Sequence, residues 1–323
     1  MNKTESAMVI ACMAVIGSLS LVSAGMIRSG GNGSVASQDA DKLRNLHRSM
    51  VLFACDDVTG ALPTPGRINV WTRPYADRMT ENQGKNTSGH LYSALIAQQY
   101  ISTADVISPA EAATNVIEYN GTSGGTGYEY EAYDPANDSY WAGDVPDPYS
   151  YGSGPVYEKN ELFRTAINRP FQPDAGNACY ASYAHLQLCG KRKWLDWRVD
   201  AGANKPLLSN RGPKNGTSTG EDYTMSPTLL FYEPHDAWQG NVLFGDGHVL
   251  FAETFQPEGV EYGCGDIKPM PDNIFNCEFD GSGCSLDGPK FEGDTWLCLN
   301  EVIVKNGASG KWTTIGLFDV KLD

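Results

Sequence analysis

The feature that most constrains this chain is an uncharged run from Ala7 to Ile27, close to its beginning. Met8, Val9, Ile10, Val15, Ile16, Leu19 and Val22 would cover every side of a helix built from it. About twenty such residues, rising about 1.5 Å each, cross the hydrocarbon of a bilayer. A helix apolar all round must sit in lipid or pack against other apolar helices. Three uses fit: a cleaved export signal, with Val22-Ser23-Ala24 as the small-residue site, a simple membrane anchor, or the packing helix of a filament subunit. Glu5 bears on the choice. An unpaired carboxylate among lipid tails costs several kcal/mol, so Glu5 asks for a positive partner such as the amino terminus of a neighbouring subunit.

The rest of the chain reads as a loop-rich globular head. Residues 1–28 form the apolar segment, and the glycine-rich stretch 29–36 reads as a linker. The head itself runs over 37–252, followed by a cysteine-rich loop and a C-terminal hairpin over 253–323. The formal charge of −15 excludes nucleic acid as a specific partner, because phosphate backbones demand clustered Lys and Arg. The trio Lys191-Arg192-Lys193 is the densest basic group, and reads as a solvated turn.

Ser37 is a plausible N-cap for a helix with Asp39 and Asp41 in its first turn. Ala40, Leu43, Leu46, Met50 and Phe53 recur at three- and four-residue steps and give that helix one apolar face. Leu91, Leu95, Ile96 and Tyr100 predict a second, shorter helix. Residues 179–199, with Tyr183, Leu186, Trp194 and Trp197, read as core strand segments. The sharpest local signal runs from Gly240 to Phe251. There two short apolar runs flank Gly245-Asp246-Gly247, a composition suited to a tight hairpin turn with a positive φ. A second hairpin is predicted from Leu297 to Val320, turning through Asn306-Gly307.

Eight cysteines suit an exported protein. With Cys12 in the apolar segment, the candidates for bridging are Cys179 with Cys189, and Cys264, Cys277, Cys284 and Cys298 among themselves. Cys55 is the remaining thiol, and connectivity is not fixed by spacing. Sequons at Asn32, Asn86, Asn120, Asn137 and Asn215, besides Asn2, are candidate glycan acceptors.

These pieces together resemble the bacterial prepilin-type proteins whose C-terminal region carries His, nine residues, then Asp-Gly. The resemblance rests on Glu5 with its apolar run, Arg44-Asn45-Leu46, Gly60-Ala61-Leu62-Pro63, Leu91 to Pro109, Pro206 to Arg211, and Asn241 to Val249. The hairpin motif Asn241, Gly245, Asp246, Gly247, His248 is the most specific part. The chain departs from the pattern in lacking the Gly-Phe-Thr-Leu-x-Glu processing site. Its His235 is also separated from Asp246 by ten residues instead of nine.

The resemblance implies an α+β pilin-like fold, an apolar N-terminal helix followed by a head with an antiparallel sheet and disulfide-stapled loops. It implies a structural subunit of a type IV pilus-like or pseudopilus-like filament outside the cell or on its surface, reached through the inner membrane. Its partners would be its own copies and the pilus or secretion assembly machinery. Glu5 would fix axial register by meeting a neighbour's amino terminus.

The alternative is a monomeric secreted or anchored domain whose Tyr- and Trp-rich loops hold a glycan. No catalytic constellation stands out: the five histidines lack metal-ligand spacing, and Asp246 between two glycines is what a turn uses. The expectation is therefore a non-enzyme that requires no cofactor. One cation signal remains. Asn276, Glu278, Asp280 and Asp287 fall at positions 1, 3, 5 and 12 of an EF-hand-like calcium loop, although no helices flank it.

Overall fold

The computed structural model describes residues 34–55, 57, 59–68, 81, 86–119, 179–232, 237–264, 267–278, 291–303 and 318–320. Helix α1, Val35–Ala54, opens at Ser34, whose side chain accepts from Ser37 N. The N-cap is thus Ser34 rather than Ser37, and the helix takes in the end of the predicted linker. Leu43, Leu46, Met50 and Val51 are buried, as the helical period requires, but so are Asp39 and His47. Helix α2, Ser88–Ala97, is capped by Thr87 accepting from His90 N and is buried along nearly its whole length.

Strands β1 (Tyr183–Leu186), β2 (Pro206–Asn210), β3 (Gly240–Phe244) and β4 (Val249–Ala252) form an antiparallel meander. Strand β8, Leu297–Cys298, joins its far edge beside β1, giving the order β4-β3-β2-β1-β8. The region after 252 therefore completes the main sheet. Strands β5 (Glu261–Cys264), β6 (Ile267–Pro271) and β7 (Phe291–Glu292) make a small second sheet. Strands β9 (Asn300–Ile303) and β10 (Phe318–Val320) pair antiparallel, as the C-terminal hairpin reading requires. The molecule is α+β with an antiparallel sheet, and α1 lies across β2, β3 and β4.

The Gly-Asp-Gly hairpin forms as expected. Gly247 N donates to Phe244 O, Phe244 N donates to His248 O, and Gly247 takes the positive φ of 85°. Gly245 is required for another reason: a Cβ there would lie 2.5 Å from the Ala201 Cβ and 2.6 Å from its carbonyl oxygen.

Three expectations are corrected. The described cysteines Cys55, Cys179, Cys189, Cys277 and Cys298 form no disulfide among the described residues. For the Cys179–Cys189 pair the reason is geometric. Strand β1 runs between them at about 3.3 Å per residue, whereas a disulfide needs Cα atoms within about 7 Å. Residues 190–195 form a short helix, α3, rather than strand, and leave Trp194 57% exposed. Arg192 and Lys193 are buried, paired with Asp294 and Glu81, rather than solvated.

The apolar segment, with Glu5, Met8, Val9, Ile10, Val15, Ile16, Leu19 and Val22, lies outside the described residues. So do Cys284, His235, Asp280, Asp287, Asn32, Asn120 and Asn137, and the side chains of Cys264 and Asn215. Among the described residues no helix is long and apolar enough to cross a membrane.

Candidate functional site

Two groups of buried carboxylates stand out, one under α1 and one in the C-terminal region. The first is built by strand register. Tyr183 on β1 pairs with Asn210 on β2, and the β2–β3 register continues that row to Asn241 on β3. Neighbouring strands thus set Tyr183, Asn210 and Asn241 side by side on one face. Helix α1 lays Asp39 onto that row, where it is 0% exposed.

Asp39 Oδ1 accepts from Ser108 Oγ (2.5 Å) and Tyr183 OH (2.7 Å), while Oδ2 accepts from Tyr232 OH (2.5 Å) and Asn241 Nδ2 (2.9 Å). Asn241 Nδ2 also reaches Ala36 O at 2.9 Å, and Asn241 N donates to Asn210 Oδ1 at 2.7 Å. Burial, then the Asp39 charge, holds the Tyr183 and Tyr232 phenols well above their ordinary pKa, so both remain donors. Tyr232 reaches Asp39 from a backbone φ of 64°, a left-handed conformation uncommon outside glycine. Every oxygen of this carboxylate is occupied, so the group acts as a clamp between helix and sheet. The motif residue Asn241 belongs to it.

The remaining motif residues serve the turn. Asp246 Oδ1 accepts from His248 N at 3.1 Å and contacts His248 Nδ1 at 2.6 Å, and the His248 ring stacks on Phe244 at 4.4 Å. Partial burial pushes the Asp246 carboxyl up, but these hydrogen bonds outweigh it and hold the carboxyl below its usual range. Two other histidines are buried and neutral. His47 and His185 are lowered to about 4, chiefly by burial. His185 Nδ1 donates to Leu186 O (2.8 Å), so its Nε2 accepts from Ser88 Oγ (2.7 Å).

The second group is Asp272, Glu278 and Asp294. Asp272 follows β6, Glu278 closes the turn that begins at Asn273, and Asp294 precedes β8. One oxygen from each lies within 4.8 Å of the others. Asp272 Oδ2 accepts from Thr295 N at 2.7 Å, and Glu278 Oε1 from Asn273 N at 3.2 Å. Arg192, fully buried on α3, gives its Nε to Asp294 O at 2.6 Å and its Nη2 to Asp294 Oδ2. Burial, then the neighbouring Asp294 charge, pushes the Asp272 carboxyl up to about 7. Burial, then Asp272, raises Glu278. Asp294 is raised by burial against the pull of Arg192.

Of the predicted calcium ligands, Glu278 sits in this cluster, with Asp272 and Asp294 as its acidic companions among the described residues, and Asn276 is half-buried in the same turn. Among the sequons, Asn86 is excluded as a glycan acceptor in the folded head. It is fully buried, with its amide oxygen accepting from Gly66 N and its nitrogen donating to Glu81 and Leu188 O.

Sequence reasoning missed Asp39, which looks like an ordinary first-turn acid, along with Asp272, Asp294 and Arg192. The signal that could have found Asp39 is its position four before Leu43 and seven before Leu46, on the apolar face beside Ala40. Compared with protein-family models, with curated proteins and with solved structures, the chain matches none.

Proposed function

We propose that this protein is a structural subunit of an extracellular pilus-like or pseudopilus-like filament, assembled through its apolar N-terminal segment. The observation that carries the reading is the order of the chain, an uncharged run over residues 7–27 behind Glu5 followed by an α+β head. Residues 7–27 are apolar throughout, and α1 begins at Val35 and is bound to the sheet through Asp39 within its first turns. A helix apolar on all sides can pack against its copies once it leaves the bilayer, and a head-to-tail contact that does not close generates a helical filament. Glu5 is assigned the register role, neutralising a neighbour's amino terminus.

The test is the intact mass and N-terminal sequence of protein from its native source, joined to electron microscopy of Glu5→Ala cells. A retained apolar segment, and loss of filaments in Glu5→Ala with the head still folded, is the expected result. A chain starting near Gly25, or normal Glu5→Ala filaments, would overturn the mechanism.

A second reading, a secreted or anchored glycan-binding head, draws on one surface feature. Trp194 is exposed, with Lys193 Nζ 4.9 Å and the Arg67 guanidinium 6.0 Å from its ring centre. Retention of the head on a polysaccharide column, abolished by Trp194→Ala, would favour it.

A further inference from the structure

The geometry points to a divalent-cation site of the calcium class, formed by Asp272, Glu278 and Asp294. Asp272 and Glu278 flank one turn and Asp294 comes from the approach to β8, and one oxygen of each lies within 4.8 Å of the other two. Oxygens bound to one calcium at about 2.4 Å stand at most about 4.8 Å apart, so the three lie in the range from which they can close on a single ion.

Crowded acids alone do not make a site. The second observation is that each carboxyl keeps one oxygen sealed from solvent that accepts no hydrogen bond: Asp272 Oδ1, Glu278 Oε2 and Asp294 Oδ1. Asp272 is fully buried and Asp294 is 4% exposed, so water does not replace the missing donors from outside. A carboxylate oxygen that gives up hydration and gains no donor is costly.

Charge gives the same answer. With all three ionised, the carboxylates against the Arg192 guanidinium leave two negative charges, which one divalent ion cancels. Arg192 directs its Nε and Nη2 at the Asp294 carbonyl and carboxylate. The donors are hard oxygens, which favour calcium, magnesium or manganese over zinc. Glu278 is only half-buried, so water can fill the remaining positions of a shell of about six to eight oxygens. Bound there, the ion would tie the turn after β6 to the approach to β8, and so fasten the C-terminal region to the main sheet. This holds whether or not the protein forms filaments.

The experiment uses the full chain in detergent, stripped with EDTA. Calcium is added in a calorimeter and in a thermal melt, and terbium in a luminescence titration with Trp296 as antenna, since Arg192 lies over its ring at 5.7 Å. Saturable calcium binding and a raised Tm are expected. Glu278→Gln and Asp272→Asn should each weaken calcium by about tenfold or more and remove most of the Tm rise. Glu278 makes no ion pair with Arg192 among the described residues, so Glu278→Gln should fold normally, as its far-UV circular dichroism in EDTA will report. Wild-type protein with no binding heat and an unchanged Tm at millimolar calcium would overturn the proposal. So would a folded Glu278→Gln variant that binds calcium as tightly as wild type.

Discussion

Asp39 and the Asp272–Glu278–Asp294 group are both buried acids, yet their surroundings are opposite. The two Asp39 oxygens receive four donors, all from neutral groups, and none is left over. At the C-terminal group each acid has a sealed oxygen with no donor, and the acids face one another. A buried charge is tolerable when enough dipoles are aimed at it. The first group meets that condition from within the fold, and the second leaves it to a cation. Burial of an acid therefore does not by itself indicate function; the count of its donors does.

The largest effect expected from breaking this contrast is at the clamp. Asp39→Ala strands two phenols, a hydroxyl and an amide, and should cost about 3–5 kcal/mol in urea unfolding. Asp39→Asn, which turns an NH₂ toward those donors, should cost less but still destabilise clearly.

Acid comes next. His47 and His185 titrate at about 4 in the folded protein, against about 6.5 when unfolded. Between those values the unfolded chain binds more protons. Their contribution to stability is therefore complete above about pH 6.5, is lost as pH falls, and levels off below about 4. At about 1.4 kcal/mol per pKa unit the loss is a few kcal/mol. Comparing wild type with His47→Gln at pH 7 and 4.5 isolates one share, and an equal pH slope in both would contradict it.

Gly245→Ala drives a methyl into Ala201 and should cost about 1–3 kcal/mol, with melting temperature as the readout. The smallest effect completes the comparison. Without calcium, Glu278→Gln removes one of three crowded acids, whose carboxyl burial and Asp272 already push up, and should leave stability unchanged or raised by about 1 kcal/mol. The same carboxyl-to-amide change that damages the clamp is thus harmless at the C-terminal group until calcium is supplied.

The parts of the fold legible in the sequence are those written in short-range patterns. Leu43, Leu46 and Met50 announced the buried face of α1, and Gly245-Asp246-Gly247 announced the β3–β4 turn. Arg192 shows where that approach fails. In sequence it sits in a basic trio and looks solvated, while in the fold Asp294, 102 residues away, draws it into the interior. Asp272 and Asp294 were invisible for the same reason. Nothing local marks them, and the EF-hand-like spacing around Glu278 does not include them. The cysteines misled by proximity, because a strand between Cys179 and Cys189 separates residues that look adjacent.

By itself, then, the sequence determined the local elements: the uncharged run of residues 7–27, the amphipathic face of α1, and the glycine turn between two short apolar runs. These depend on side-chain spacing within about one or two helical turns or a few strand residues, which the chain carries locally. Only the tertiary structure decided that Tyr183, Asn210 and Asn241 form one row beneath Asp39, and that Asp272, Glu278 and Asp294 gather beside the distant Arg192. Those arrangements follow from strand register and from the return of β8 to the main sheet. Both are properties of chain segments meeting across long separations, where the cost of burying polar groups selects their partners.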